Sequence, residues 1–449
     1  MSKTTKVAIV SLGCSKNQVD AEQMMAKIAD RGYAFVAEPG MADIVLVNTC
    51  GFIQSAKEEA IGWIMELIDL KNEGRIKRIV VTGCLSERYR DQFAEEFPEI
   101  DAVVGIAEYG KIADIIDGLA DFEKPSHEEG TPAVCYFGRK ESHSMEGKRI
   151  ISTLPHYAYL RIADGCDNCC SYCIIPRARG RPRSRGFDEI MSDARSLVSR
   201  WAREITLTGI NLTKFSSQER GIVGVIDALD ALPGLLRVRL GSVEPQDMPA
   251  EALLERAADS SHKLQPHFHV SAQSLCDRVL SAMRRKNTVS EFLAFVARAK
   301  SVCPDISIGA DIICGHPFER DCDYLETKSA MLSSGLSYAH VFTFSPRPGT
   351  PAFSMASETP DPQTRRVRSD DLRAAAAGMH MDFMDSQIGK TRPVLFENML
   401  PDGRYMARTD NYVQVCVSGA GEGLKNTPAL ARLDGVADSG KMFASAVRA

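Results

Sequence analysis

Three cysteines lie close together in the middle of the chain, at Cys166, Cys170 and Cys173. Soft thiolate ligands select iron–sulfur clusters or zinc, and a closed cubane cluster normally has four of them. Three thiolates would leave one iron without a protein ligand, and catalytic metal sites keep such an open position. Cys169 permits a second parsing, in which two adjoining Cys-x2-Cys pairs hold zinc through four thiolates. The two pairs of a zinc site usually have a loop or knuckle between them, but here they adjoin directly. We therefore favour the iron–sulfur cluster over zinc.

A second set of cysteines follows three apolar segments near the N-terminus. Cys14, Cys50 and Cys84 each end a predicted strand, and their spacings correspond to about one βα repeat each. Because the carboxyl ends of parallel strands meet at one rim of an open sheet, the three thiols should converge there. Each cysteine alone is better explained as a core residue. The repeated placement instead favours a second cluster site, again with one iron free.

The elements that position these cysteines follow from the hydrophobic patterns, which predict an α/β protein. Residues 4–120 predict an N-terminal parallel α/β domain, with helices at 20–31 and 55–70, and the polar residues 121–150 predict a linker. Residues 151–385 predict six βα units, too few to close an eight-stranded barrel. Residues 388–449 predict short strands of a small C-terminal β-barrel. The six strands of the partial barrel are predicted at 157–162, 204–208, 236–240, 267–270, 306–313 and 339–344.

Composition indicates a globular protein of the cytoplasm. The chain has no apolar run of membrane-spanning length and no signal-peptide pattern. Thirteen cysteines without a secretory signal favour a reducing compartment, where thiols serve metals rather than disulfides. The net charge of −5 is not that of a general nucleic-acid binder.

The segment Gly165–Pro176 resembles the cluster motif of radical S-adenosylmethionine enzymes, and Ile174–Arg185 narrows the resemblance to the methylthiotransferases among them. The resemblance covers nearly the whole chain. It implies an open (β/α)6 radical S-adenosylmethionine barrel and a C-terminal TRAM domain that grips the substrate. It also implies two 4Fe–4S clusters. One lies on Cys166, Cys170 and Cys173, where its open iron chelates S-adenosylmethionine and cleavage releases a 5′-deoxyadenosyl radical. The other, an auxiliary cluster that carries sulfur, lies on Cys14, Cys50 and Cys84.

The implied activity uses two S-adenosylmethionine molecules per turnover. One supplies the methyl group, and the other yields the radical that abstracts hydrogen from an unactivated carbon. An external electron donor of the flavodoxin or ferredoxin type is expected, and no catalytic residue is assigned beyond the cluster ligands. The rival hypothesis, an iron–sulfur electron carrier or scaffold, would need neither a cofactor-sized barrel nor an open iron. Cleavage of S-adenosylmethionine by the reduced protein distinguishes the two.

Polar residues near predicted strand ends are candidates for contacting S-adenosylmethionine: Tyr172, against the adenine, and Asn211, Glu244 and Gln273. Their alternative role is to cap the following helices. Five arginines, Arg177, Arg179, Arg181, Arg183 and Arg185, are candidate contacts to phosphate or to an acidic partner, although such runs more often form solvated loops. Five further cysteines are interpreted as structural thiols: Cys135, Cys276, Cys303, Cys314 and Cys322. The segment Gly315–Glu319 departs from the usual family sequence, which has Phe, Gly and Thr around the shared Gly, Pro and Glu.

Different segments of the sequence favour two different acceptors of the methylthio group, a ribosomal protein and tRNA. The N-terminal segments Ser11–Asn17, Asn48–Ile53 and Val81–Leu85 most resemble the branch that methylthiolates an aspartate of small-subunit ribosomal protein S-twelve. The later segments 237–245, 345–351 and 409–413 look more like the branch that acts on tRNA. That branch modifies N6-threonylcarbamoyl-adenosine, or isopentenyl-adenosine, beside the anticodon. Residues 388–449 carry eight Lys and Arg against six Asp and Glu, which is a weak basic signal for tRNA. An acidic enzyme suits a basic ribosomal protein, so we favour that acceptor.

Overall fold

The computed structural model describes residues 5–127, 131–421, 423–437 and 440–447, which form two compact units. The first unit holds the described residues up to Ser152, together with Asp164–Asn168 and Ile174–Arg183. The second holds Thr153–Ala163, Cys169–Cys173 and the described residues from Ser184 onward. Residue 4, three residues of the predicted linker and a few positions of the C-terminal segment lie outside this description.

The first unit is built on a six-stranded parallel sheet with the order β2-β1-β3-β4-β5-β6. Its strands are β1 (Lys6–Ser11), β2 (Ala34–Phe35), β3 (Ile44–Thr49), β4 (Arg78–Gly83), β5 (Ala102–Val104) and β6 (Val134–Tyr136). Its helices are α1 (Ser15–Asp30), α2 (Gln54–Asn72), α3 (Cys84–Glu96), α4 (Ile112–Leu119) and α5 (Ile175–Arg179).

Strand β3 shows why this sheet is parallel and central. Its side chains are all buried, since Val45 and Val47 join one hydrophobic cluster and Ile44 and Leu46 join the other. A strand covered on both faces needs a continuous apolar run rather than alternation, and this strand has one.

The polar segment predicted as a linker is part of the first unit. It contributes β6 to the sheet edge, and Arg149 makes a buried ion pair with Glu22 at 2.6 Å. Residues 121–150, where described, are therefore packed onto the first unit rather than forming a free linker.

The second unit contains the predicted six-stranded partial barrel. Its strands are β7 (Tyr157–Asp164), β9 (Glu204–Gly209), β10 (Arg237–Leu240), β11 (His267–Gln273), β12 (Ser307–Cys314) and β13 (Tyr338–Thr343), with a short β8 (Arg183–Ser184) beside β7. The sheets β10-β9-β7-β8 and β11-β12-β13 are joined by parallel bridges between Val238 and Leu264 and between Val243 and Val270. Its helices are α6 (Phe187–Arg200), α7 (Ile222–Asp230), α8 (Ala250–Ala258), α9 (Asp277–Ala282), α10 (Val289–Val302), α11 (Asp321–Ser333) and α12 (Pro362–Asp385).

The same unit ends in a closed five-stranded barrel with the order β14-β15-β16-β18-β17. Its strands are β14 (Thr391–Met399), β15 (Tyr405–Thr409), β16 (Gln414–Ser418), β17 (Pro428–Val436) and β18 (Met442–Ala446). Inward side chains such as Phe396, Val415 and Leu433 fill it. This confirms the predicted small β-barrel.

The turn between β15 and β16, Thr409–Val413, is called the plug loop here because it packs against the amino end of the partial barrel. Arg239 of β10 donates hydrogen bonds to its carbonyl oxygens at Thr409 and Asp410, each at 2.8 Å. The ring of Tyr412 stacks on His267 of β11 with 4.1 Å between ring centroids. The closed barrel and the partial barrel therefore share one packed interface. None of the described helices is both long enough and apolar enough to cross a bilayer.

Candidate functional site

Three neighbouring strands of the first unit deliver one cysteine each to the same rim of the sheet. Cys14 follows β1, Cys50 follows β3 and Cys84 begins α3 directly after β4. Because β1, β3 and β4 are adjacent in the sheet, their carboxyl ends bring the three thiols together, as the sequence predicts. Each thiol lies close enough to the others to influence its ionisation.

Two glycines allow this close approach. Gly13 has a φ of +97°, and a Cβ there would lie 2.7 Å from the Cβ of Cys50. Gly83 has a φ of +107°, and a Cβ there would lie 2.2 Å from the carbonyl oxygen of Thr49. Both positions combine a left-handed backbone with contacts that exclude any side chain.

Asn17, on the first turn of α1, ties the cysteine loops together. Its buried side-chain Nδ2 donates to the carbonyl oxygens of Leu12 at 3.2 Å and Thr49 at 2.9 Å. Its Oδ1 lies 3.6 Å from the Sγ of Cys84 and accepts a hydrogen bond from Arg179 at 2.8 Å. One amide therefore links the ends of β1, β3 and β4.

Arg179 supplies the positive charge of the site. Its guanidinium is only 1% exposed and pairs with Asp20 at 2.9 Å and Asp164 at 3.0 Å. Its Nη2 also lies 3.7 Å from the Sγ of Cys84. Although desolvation lowers the pKa of Arg179, the charges of Asp164, Cys84, Asp20 and Cys14 raise it well above its usual value. The arginine therefore remains charged and favours thiolates beside it.

The thiols differ in how readily they ionise. Desolvation would raise the pKa of Cys14, but Lys16, Arg179 and the backbone N–H groups of residues 16 and 17 lower it on balance. Desolvation raises the pKa of Cys84 to about 12 and also raises that of Cys50. Since the thiolate is the metal ligand, an electropositive metal centre would stabilise all three. Three soft donors beside one buried cation fit an iron–sulfur cluster.

The loop after β7 carries the other cysteine set. Cys166, in the first unit, accepts a hydrogen bond at Sγ from the backbone N–H of Asn168 at 3.3 Å. Cys170 and Cys173 belong to the second unit, where Cys170 is buried with its Sγ 3.7 Å from Nη1 of Arg285. Cys169 is exposed. Within the second unit, the burial of Cys170 beside a cation contrasts with the exposure of Cys169, and the soft thiols of Cys170 and Cys173 have the donor chemistry of cluster ligands.

The four residues predicted to contact S-adenosylmethionine lie at the carboxyl end of the partial barrel. Glu244 pairs with Arg285 at 2.7 Å, so Cys170, Arg285 and Glu244 form one chain of contacts. Asn211 and Gln273 follow β9 and end β11, both with positive φ. The Nδ2 of Asn211 is buried and has no hydrogen-bond partner among the described residues, as expected of a group awaiting a ligand. The ring of Tyr172 packs in a hydrophobic cluster with Cys170 and Met283.

The five arginines divide into two groups. Arg179 is buried among the first set of cysteines, Arg183 donates to the carbonyl oxygen of His143 at 2.8 Å, and Arg185 pairs with Asp193 at 2.9 Å. These three guanidiniums have internal partners because carboxylates and carbonyls of the fold surround them. Arg177 and Arg181 are exposed and remain the candidates for contacting a macromolecule.

Sequence reasoning missed Asn17, Arg285 and His316. His316 is fully buried, with its Nε2 3.0 Å from the Oγ of Ser171 and its ring edge-on to Tyr172. A signal was present for His316, because it stands where the family pattern has Phe. Asn17 and Arg285 carry no local signal, since their partners are distant in sequence.

Comparisons with known proteins agree with this geometry. A model described as uncharacterized protein family UPF0004 matches residues 6–105, and the radical SAM superfamily model matches residues 160–331. The ribosomal protein uS12 methylthiotransferase RimO of Anaeromyxobacter sp. is 33% identical and covers 90% of this chain and 84% of its own. RimO of Geobacter sulfurreducens is 36% identical over 81% of this chain and 79% of its own.

A solved structure confirms the fold. The radical S-adenosylmethionine methyltransferase TsrM from Kitasatospora setae matches with a TM-score of 0.56 and 13% identity, over 78% of this chain and 77% of its own. Together with the two cysteine sets on an open sheet and a six-stranded partial barrel, these relatives identify the chain: it belongs to the methylthiotransferase family of radical S-adenosylmethionine enzymes.

Proposed function

We propose that this methylthiotransferase modifies an aspartate of ribosomal protein uS12. The support is the naming of its relatives, which at 32–36% identity are uS12 methylthiotransferases over most of their length. The N-terminal sequence motifs and the acidic net charge of −5, which complements a basic ribosomal protein, agree with this acceptor.

We further propose the roles of the two cysteine sets. Cys14, Cys50 and Cys84 would hold the auxiliary 4Fe–4S cluster, and Cys166, Cys170 and Cys173 the cluster that binds S-adenosylmethionine. When bound, these groups supply the reductive chemistry that activates an unactivated carbon and the sulfur that is transferred. The protein's own residues would orient the cysteine ligands and balance their charge. Arg179 and Asn17 hold the first set in place, and Arg285 with Glu244 fixes Cys170 at the barrel rim.

The neighbouring groups suit the remaining tasks. Asn211 and Gln273 would bind S-adenosylmethionine through polar atoms. The clearest support is the buried Nδ2 of Asn211, which has no hydrogen-bond partner among the described residues. Arg177, Arg181 and the closed C-terminal barrel would contact the acceptor. An external flavodoxin- or ferredoxin-type electron donor completes the proposal. The thirteen cysteines, seven of them outside the two ligand sets, support a cytoplasmic, reducing location.

The acceptor is tested by a direct competition. The anaerobically reconstituted enzyme, with reductant and S-adenosylmethionine, is offered recombinant uS12 and total tRNA in separate and mixed reactions. Mass spectrometry should find one methylthio group on a single uS12 aspartate and none on tRNA nucleosides. Methylthio-modified tRNA with unmodified uS12 would overturn the proposed acceptor, and a Cys170→Ala enzyme is the matched inactive control.

A further inference from the structure

Strands β11, β12 and β13 carry a set of polar side chains on their inner face. Successive side chains of a strand alternate between faces, so Phe268 packs outward in the core while His267 and His269 face inward. On the next two strands, Asp311 of β12 lies directly opposite His340 of β13. These inward groups lie roughly 10 Å before the carboxyl ends of the strands, away from the predicted S-adenosylmethionine contacts.

Gly309 lets an aromatic ring lie across this face. A Cβ at Gly309 would lie 2.0 Å from the ring of Tyr338, so only glycine permits the ring to cover β12. The hydroxyl of Tyr338 then reaches Nε2 of His267 at 2.8 Å and Nδ1 of His269 at 3.2 Å. The ring orientation of His269 is thereby fixed, with Nε2 directed at Asp311.

The donor atoms of His269, Asp311 and His340 converge. Nε2 of His269 lies 2.9 Å and Nδ1 of His340 lies 3.6 Å from Oδ1 of Asp311, and the three donors are all within 4.8 Å of one another. Two imidazoles and one carboxylate form the ligand set of many catalytic zinc sites and of non-haem iron(II) sites. Ligand distances of about 2.0–2.2 Å require only small side-chain movements from this arrangement.

Charge balance also favours a cation here. The side chain of Asp311 is only 20% exposed, so its charge is largely withdrawn from water. Across the described residues, the ion-pairing partners of this carboxylate are those two imidazoles. A divalent cation would balance the buried charge without protonating either ring.

A second group of potential ligands differs from this triad in its charge balance. It consists of Cys276, Asp323 and Glu326. The carboxylate of Asp323 is already paired with Arg278 and Arg320. Two guanidiniums neutralise it and compete with any metal ion. This second group therefore carries no proposal.

One member of the triad, His340, borders a cavity within the second unit. His340 has 59% of its side chain exposed and lines a cavity of about 460 Å³, together with Tyr338, His380 and Tyr412. A metal held by these three protein ligands would keep a position free, on the side of His340, for water or another oxygen ligand. The contact between His269 and Tyr338 supplies the outer hydrogen bond that metal-ligating histidines almost always make.

We propose that His269, Asp311 and His340 bind one divalent cation of the zinc or iron(II) class, with an open coordination position toward this cavity. The proposal concerns a metal site distinct from both cysteine sets and does not rest on the acceptor. Its outermost ligand, His340, is exposed, so its replacement should leave the fold intact.

The test is a metal count on the cluster-loaded enzyme. The holoenzyme is incubated anaerobically with Zn²⁺, desalted, and analysed for zinc and iron by plasma mass spectrometry. The wild type should retain about one zinc per chain with its iron unchanged. His340→Ala and Asp311→Asn should lose the zinc while keeping the iron, which also reports that the variants are folded.

Two further variants sharpen the result. His380→Ala removes another imidazole from the same cavity and should retain zinc. Tyr338→Phe keeps the ring but removes the hydroxyl that orients His269, and should weaken zinc binding by about tenfold or more in a chelator competition. A wild type that retains no zinc, or a His340→Ala enzyme that retains as much as the wild type, would overturn the proposal.

Discussion

At the residue scale, Arg179 is the buried cation beside the first cysteine set. Its guanidinium serves two carboxylates, one amide and one thiol, and almost none of it reaches solvent. Removing one partner of a buried ion pair leaves uncompensated charge, which costs about 3–5 kcal/mol. Arg179→Met should therefore lower the free energy of unfolding by that amount.

The same substitution should roughly halve the iron bound on reconstitution, because Cys14 and Cys84 lose their neighbouring cation. Arg31→Met is the matched control, since Arg31 pairs with Asp114 and Asp117 at the surface of the same unit. Exposed pairs contribute about 0–1 kcal/mol, so this control should keep full iron and nearly full stability. Equal losses in denaturant titration for both variants would contradict the role given to Arg179.

His316 gives a pH-dependent prediction. Burial lowers its pKa to about 4 in the folded protein, whereas an unfolded chain binds the proton near 6.5. Between these values the unfolded state binds more protons, so stability falls as the pH is lowered. From pH 7 to pH 5 this histidine should account for a loss of about 2 kcal/mol.

The comparison is with His316→Phe, which introduces the residue type of the usual family pattern. Denaturant unfolding of both proteins at pH 7 and pH 5 gives the difference directly, whatever the absolute stability of the variant. The wild type should lose more stability on acidification than the variant does. Parallel losses in the two proteins would show that His316 does not carry the effect.

At the element scale, the plug loop predicts a measurable link between the two barrels of the second unit. Tyr412 stacks on His267 and lies beneath the guanidiniums of Arg239 and Arg408 at 4.9 and 4.5 Å. One aromatic stack and two cation–π contacts together contribute about 2 kcal/mol. Tyr412→Ala should therefore lose about that much unfolding free energy, while Tyr412→Phe, which keeps the ring, should lose little. A full-sized loss in the Phe variant would assign the effect to the hydroxyl instead.

Elements were predictable from sequence to different degrees. The cysteine-bearing ends of β1, β3 and β4 were predicted because each follows an apolar run, and β9, β10 and β11 were predicted from alternating apolar and polar residues. Strand β6 was not, because Val134–Tyr136 is short and lies among polar residues whose partners are far away in the sequence.

The residues of the candidate site were also predictable from sequence to different degrees. Ligands repeated at regular spacing could be predicted, whereas the groups that balance their charge could not. Arg179 was interpreted as one of five basic loop residues, and only the fold shows it buried against Asp20 and Asp164, on elements distant in sequence. The His269, Asp311 and His340 triad likewise depends on the registers of three strands.

At the scale of the whole molecule, two clusters predict two separable losses. Full reconstitution should give about eight irons per chain, and Cys50→Ala and Cys170→Ala should each retain about four. Cys50→Ala should still cleave S-adenosylmethionine but transfer no methylthio group, and Cys170→Ala should do neither.

Cys169→Ala is the internal control for that experiment, because Cys169 is exposed while Cys170 is buried beside Arg285. It should keep all of its iron and its activity. Loss of iron on this substitution would support the four-thiolate parsing, and a wild-type value that stays near four would refute the second cluster.

The contacts of the plug loop also restrict which relatives could exchange their C-terminal barrels in a chimeric protein. The closed barrel could be exchanged between relatives at a junction near Ile388. The graft would carry its own loop onto Arg237 and Arg239, which donate to the carbonyl oxygens of residues 393, 408, 409 and 410. Recombinants should express well when donor and recipient agree at these two arginines and at the aromatic position of Tyr412, and poorly when they disagree. Compatibility at this junction is therefore a better guide for choosing parents than overall identity.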